Sequence, residues 1–253
     1  MSQTSLDFGY PWWLNYGHLA VFGVLLLAVF IARATGASRW IVLSLGALAL
    51  WAGSVALLVF FFGINNVPPL PTQAFLSSGS GRVLDLGAGT GRSSIMVLKA
   101  RPQATLVASD LFGDSFSQHF GPGERPQDRL LANLKAAGVD GRATIETADM
   151  LKLPFPDQSF DALVSAYAMD HLGRKNSPTA LAEARRVLKP GGDFLLILIA
   201  NDWWAKFAFG PMLSHGGTYG AAWWRAAATA AGFDVREEGT QPVTTFFLLT
   251  ARQ

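Results

Sequence analysis

Val83-Leu84-Asp85-Leu86-Gly87-Ala88-Gly89-Thr90-Gly91 is the stretch whose reading decides the fold. A short apolar run ends around an acidic residue, and glycines then occupy alternate positions. Ser93 to Ala100 follows as a helix-compatible segment, so the local order is strand, tight turn, helix. Glycines in such a turn accept positive φ and let the backbone approach a ligand closely. The first N–H groups of the next helix have no partner in their own helix, so they face that ligand.

The spacing is G-x-G-x-G. A dinucleotide fingerprint instead reads G-x-G-x-x-G, with an acidic residue about 20 positions on. The variant found here resembles motif I of the class I S-adenosylmethionine (SAM) dependent methyltransferases, of the type 11 kind. In that resemblance Asp85 orients the turn or faces the cofactor's ammonium, and Gly87, Ala88, Gly89 and Gly91 line the cofactor.

From Arg82 onward, short apolar runs alternate with helical stretches, the pattern of a parallel α/β sheet. Strands are expected at Arg82–Leu86, Thr105–Ser109, Ala143–Thr147, Phe160–Ala166 and Phe194–Ile199. Helices are expected at Arg129–Ala137, Asn176–Leu188 and Ala221–Ala231, the middle one stopping at Pro190-Gly191-Gly192. Phe233–Glu237 and Thr244–Ala251 fit the antiparallel hairpin that ends the family's seven-stranded, mostly parallel, Rossmann-like sheet.

The resemblance extends along this whole region. Asp110 ends the second strand, where the family's acidic residue takes the ribose hydroxyls, with Leu111 beside it. Ala148-Asp149-Met150 matches the adenine site, and Ser165 joins the implied cofactor set. Leu153-Pro154-Phe155-Pro156-Asp157-Gln158-Ser159-Phe160-Asp161 and Arg185-Arg186-Val187-Leu188-Lys189-Pro190-Gly191-Gly192 match two further signatures, both structural in the family.

Composition adds a second component. Of 253 residues, 50% are apolar and only 15% charged, too apolar for an ordinary soluble domain. A net charge of +2 gives no footprint for nucleic acid. With no cysteine, disulfides and thiolate chemistry are excluded, and no metal site is expected.

Two apolar runs, about 12–33 and 40–64, lack a polar face and are each long enough to span a membrane. Trp12 and Trp13 stand where amphipathic rings favour the membrane interface. Residues 1–64 therefore read as a membrane hairpin. Residues 65–81, with Pro68, Pro69, Pro71 and Ser77-Ser78-Gly79-Ser80-Gly81, read as a linker, and 82–253 as the methyltransferase domain. Arg33 and Arg39 in the hairpin turn favour placing that turn in the cytoplasm. SAM supply places the catalytic domain there instead, and the cofactor argument takes precedence over two arginines.

Methyl transfer from a sulfonium needs alignment, and a base only when the nucleophile keeps its proton. Tyr167, Asp170 and His171 follow strand four at the carboxyl edge of the sheet, where ligands bind. His119 and His215 are weaker base candidates. Trp203, Trp204, Phe207 and His215 are the candidates for an acceptor wall or a lipid-dipping segment.

The resulting expectation is a membrane-anchored SAM-dependent methyltransferase with a lipophilic acceptor, such as a lipid headgroup, a quinone or an isoprenoid. A SAM-binding membrane scaffold and a nicotinamide-dependent oxidoreductase are the alternatives. All cofactor residues are expected beyond Arg82, so removing 1–65 should leave SAM affinity untouched.

Overall fold

Two apolar helices open the chain, α1 (Trp12–Ala34) and α2 (Arg39–Phe62). The turn between them closes with Gly36 at φ 70°, while Gly36 N–H donates to the Arg33 carbonyl and Ala37 N–H to that of Ala32. His18 meets Trp51 edge-on at 5.7 Å. Phe22 lies against Gly53, the position where the lack of a side chain leaves room for its ring. Ser54 Oγ donates back to the Leu50 carbonyl at 2.8 Å, which satisfies a hydroxyl inside an apolar helix. Val24, Leu27, Phe30, Leu50, Phe60 and Phe61 are exposed. Both helices are long and apolar enough to cross a membrane.

The computed structural model describes residues 6–63, 66–113, 126–209, 219–241 and 244–253. Gly9–Asn66 forms one compact unit. The other unit combines Met1–Phe8 with Val67–Gln253.

In this second unit the strands are β1 (Ser80–Leu86), β2 (Gln103–Asp110), β3 (Ala143–Thr147), β4 (Phe160–Ala166), β5 (Leu188–Ile199), β6 (Phe233–Gln241) and β7 (Thr244–Ala251). They form a single sheet in the order β3-β2-β1-β4-β5-β7-β6. β7 alone runs antiparallel to both of its neighbours. The helices are α3 (Arg92–Ala100), α4 (Pro126–Ala136), α5 (Gly173–Val187), α6 (Trp203–Phe209) and α7 (Ala221–Ala230). The chain leaves β1 for β2 and β3 on one side, then returns to β4 on the other. The carboxyl ends of β1 and β4 therefore flank the switch point where open α/β sheets bind ligands. Burial of the central strands follows from their apolar runs: Leu84, Leu86, Leu163, Phe194, Leu196 and Leu249 are all at 0% exposure.

The two signature stretches have a structural job here. Arg186 donates to the carbonyls of Leu153 and Phe155 and to Asp157 and Glu183, at 2.7–2.9 Å. Glu183 Oε2 in turn accepts the Leu153 N–H. One arginine on α5 thus fixes the whole turn ahead of β4. A side chain at Gly192 would meet the Asp161 carbonyl at 2.8 Å, so only glycine fits between β4 and β5.

Three expectations about boundaries are corrected. α5 starts at Gly173, where Tyr219 Oη accepts the Arg174 N–H at 3.0 Å, and ends at Val187. Pro190-Gly191-Gly192 lies inside β5 as an irregularity, because Phe160 pairs with Leu188 before the register shifts to Ala162 and Asp193. The segment expected as a linker is held on the domain from Val67 onward. Phe75 is fully buried, its carbonyl accepts Arg101 Nε at 2.9 Å, and Leu76 N–H donates to Asp193 Oδ2 at 2.8 Å. Thr72 bonds Glu237. Proline and glycine content signalled irregular backbone, which is present, but did not signal detachment.

This attachment predicts that Phe75→Ala destabilises the domain by about 3–5 kcal/mol, whereas Ser78→Ala, in the same segment but exposed, costs under about 0.5 kcal/mol. Thermal unfolding of the detergent-solubilised chain measures both. A free linker would give two equally small changes.

Candidate functional site

The turn after β1 is held by backbone and by two carboxylates. Gly87 and Ala88 both donate to the Ser109 carbonyl at 2.9 Å, which ties the turn to β2. Gly87, Gly89 and Gly91 have φ of 76°, 53° and 93°, the left-handed region that favours glycine. A side chain at Gly87 would collide with Ala168 and come within 3.2 Å of Met150 Cε. The loops after β1, β3 and β4 therefore converge on one place.

Asp110 Oδ2 accepts the Gly89 N–H and Oδ1 the Phe112 N–H, each at 2.9 Å. Each carboxylate oxygen can accept more than one hydrogen bond, so the group can hold the turn and still accept from a diol. The Asp110 carbonyl accepts the Ala148 N–H at 3.0 Å, fastening the turn that carries Asp149 and Met150. Asp149 is exposed, and its Oδ1 accepts the Leu151 N–H at 2.9 Å. Leu111 is exposed beside Asp110. Ser165, by contrast, is fully buried, and its hydroxyl donates to the Leu86 carbonyl at 2.8 Å. It braces β4 against the turn.

Asp85 is fully buried at the end of β1. Its Oδ2 accepts from Ser93 Oγ at 2.7 Å and Ser94 Oγ at 2.6 Å, both on α3, while its Oδ1 has no partner among the described residues. Burial pushes its carboxyl up to about 6 despite those two hydroxyls, and the nearby Asp110 adds to the rise. An orphaned buried acceptor beside a glycine turn suits a cationic group of a ligand. The three expected parts fit SAM: an acceptor for an ammonium, a carboxylate for a ribose and an apolar shelf of Leu111 and Met150 for a base.

At the end of β4 lie the base candidates. Asp170 is buried in the short 3₁₀ turn Met169–Leu172. Its Oδ2 accepts the Ile199 N–H at 3.3 Å, and its Oδ1 has no partner among the described residues. Burial raises its carboxyl pKa, and the neighbouring His171 counteracts part of that rise. His171 itself is exposed. Tyr167 is held at φ 56°, an unusual conformation for a bulky residue. Its hydroxyl shares a hydrogen bond of 2.8 Å with Thr244 Oγ1. The structure thus brings Asp170 to the end of β5 and turns Tyr167 toward β7, while His171 faces solvent.

On α6, Trp203 and Phe207 are exposed, their ring centroids 6.5 Å apart and their planes tilted by 50°. Asp202 caps this helix by accepting the Ala205 N–H at 2.7 Å. Trp204 lies in the same helix. His119 and His215 lie outside the described residues. Asn133, absent from the sequence reading, reaches this site: its Nδ2 donates to the Thr90 carbonyl at 2.9 Å. A lone asparagine inside an amphipathic helix carries no sequence signal for such a role.

Residues 84–196 match the family model described as "Methyltransferase domain". Demethylmenaquinone methyltransferase from Deinococcus radiodurans is 35% identical over 116 residues, 46% of this chain and 42% of that protein. The 27-O-demethylrifamycin SV methyltransferase of Amycolatopsis mediterranei is 33% identical over 121 residues, 46% and 39% of the two chains. This chain thus spans about two-fifths of the length of these curated relatives. An O-methyltransferase family protein from Burkholderia thailandensis superposes with TM-score 0.59 at 17% identity, over 95% of this chain and 70% of its own. The [4+2]-cyclase SpnF has the same fold at TM-score 0.53 and 17% identity, over 69% and 75% of the two chains. Fold alone therefore does not dictate methyl transfer.

Asp85 gives a signed pH dependence. Its folded pKa, about 6, lies above the ordinary aspartate value of 3.8. The associated stability is fully present below about pH 4 and lost as pH rises through about 6. The difference amounts to about 3 kcal/mol. Asp85→Asn removes that slope, so its melting temperature relative to wild type should rise between pH 4 and pH 7. A constant difference across this window would overturn the assignment.

Proposed function

We propose, from the premise that residues 84–196 form a SAM-dependent methyltransferase domain, that the full chain is a membrane-anchored enzyme methylating a lipophilic acceptor of quinone type. The observation that carries the SAM half is the glycine turn held at Gly89 by Asp110 beside the orphaned oxygen of Asp85. Asp85 takes the side of the cofactor's ammonium, Asp110 the ribose, and Leu111, Asp149 and Met150 the adenine. Gly87, Ala88 and Gly91 allow the cofactor to lie against bare backbone. SAM supplies an electrophilic methyl group, and the chain's task is alignment and exclusion of water.

Two features support the acceptor class. The curated relatives named above act, by their names, on demethylmenaquinone and on a rifamycin. The chain itself carries two helices apolar enough for a bilayer and an exposed Trp203–Phe207 pair directly after β5. That pair forms an acceptor wall at the ligand-binding edge. In this reading acceptor choice belongs to the segments after β4 and β5, at the ligand-binding edge.

Asp170 is the base in this reading. Its raised pKa makes it a better proton acceptor near neutrality than an ordinary carboxylate. His171, exposed beside it, passes the proton to solvent, and Tyr167 shapes the acceptor side. Both ends of the hairpin join the globular unit, so spanning helices leave and re-enter on one side. We place that side in the cytoplasm, with Arg33 to Arg39 opposite.

Radiolabelled SAM supplied to the full chain in vesicles containing a demethylated quinone tests the reading. Label should enter the quinone, and label recovered only in water-soluble acceptors would refute the acceptor class. Asp110→Ala should weaken SAM binding by about 2–3 kcal/mol. Asp170→Asn should lower kcat by about 10²–10⁴ with SAM affinity retained. Cysteines introduced singly at Ser38 and Ser80 check topology with an impermeant thiol reagent on intact cells. Ser38 alone should label.

A further inference from the structure

We propose that Asn133 and the segment Asp7–Phe8 form a strap that positions the SAM-binding turn, so that the residues just ahead of the membrane hairpin belong to the cofactor site. The inference rests on the SAM reading of that turn. Asn133 is buried at 3% exposure on α4. Its Oδ1 accepts the Asp7 N–H at 2.9 Å, and its Nδ2 donates to the Asp7 carbonyl at 2.7 Å. This double contact copies the two-bond pairing of an antiparallel strand. The same Nδ2 donates to the Thr90 carbonyl, and Thr90 Oγ1 donates to the Phe8 carbonyl at 3.2 Å. Phe8 is fully buried. Three chain segments thus close a ring of hydrogen bonds around Thr90, which stands between the two glycines that end the turn.

The physical need for such a strap is specific. Gly89 and Gly91 lose more conformational freedom on folding than any other residue type, and a turn built from them must be held from outside. Asp110 holds it at Gly89. At the far end, Leu130 Cδ1 closes on Gly91, lying only 2.6 Å from where a side chain would begin. The strap supplies the polar half of that second attachment. Its residues precede the hairpin, and only Gly9, Tyr10 and Pro11 separate Phe8 from Trp12 at the start of α1. On this reading deleting 1–65 weakens SAM binding, against the expectation from sequence that it leaves SAM affinity nearly unchanged.

Three variants of the full chain in detergent test it: Asn133→Ala, Phe8→Ala, and Leu131→Ala, an exposed control on the same helix. Hydrogen exchange compares amides of 89–95 with those of 194–198 in β5. The first two variants should speed exchange in the turn but not in β5. They should also raise the Kd and KM for SAM about ten-fold while kcat at saturating SAM holds. Leu131→Ala should do neither. Turn exchange equal to wild type in both strap variants would overturn the proposal, as would equal acceleration in β5 or an unchanged SAM affinity. If wild-type protein binds no SAM, the proposed function falls, and the exchange comparison still decides whether the strap holds the turn.

Discussion

A fully buried carboxylate near the end of β1 is the constraint around which the rest of the globular unit is arranged. Asp85 remains there because two hydroxyls on α3 meet one of its oxygens. That partnership offsets only part of the desolvation, which is why its pKa sits near 6 rather than near 4. Retaining such a group costs stability at neutral pH. The same pair of serines fixes the start of α3 against β1, and so fixes the angle at which the glycine turn leaves the sheet. Ser109 then contributes twice, accepting from Gly87 and Ala88 through its carbonyl and donating to the Asp85 carbonyl through its hydroxyl.

The central sheet was legible because local signals and topology agree. β1, β2 and β4 are short apolar runs, β3 is a β-branched segment closed by Asp149, and each strand lies close to where its segment was expected. The convergence of Asp85, Asp110 and Met150 was legible for a related reason: they stand at or just after strand ends, and parallel strands bring their carboxyl ends to one edge. Ser165 shows the limit of that logic. It stands at the right edge, yet its side chain alternates inward and is spent on the Leu86 carbonyl.

What the sequence hid lies in contacts between distant, irregular segments. Val67 to Gly81 is rich in proline, glycine and serine, and nothing in its pattern shows that Phe75 is a core residue. Its carbonyl is held by Arg101, which is 26 positions away. Asp7 and Asn133 are separated by 126 positions. Periodicity cannot reveal such a pairing, because a two-residue contact has no period. The base candidates fall between these extremes. Asp170 and His171 are adjacent in sequence, and the 3₁₀ turn sends one inward and leaves the other in solvent, a divergence that follows from turn geometry but not from composition.

The hairpin is inserted between two pieces of one globular unit rather than appended to its front. An appended anchor could be lost with no effect on the domain beyond its location. An inserted one shares its boundary residues with the fold: Phe8 on the entry side, Leu70 and Phe75 on the exit side, all buried. Closing the chain across such an insertion costs entropy that grows only slowly with its length. The contacts at its two ends therefore have to outweigh a cost that the hairpin's own packing reduces by holding its ends together. On the entry side those contacts fall on Thr90, within the glycine turn after β1. Only Gly9, Tyr10 and Pro11 separate these contacts from Trp12, the first residue of α1.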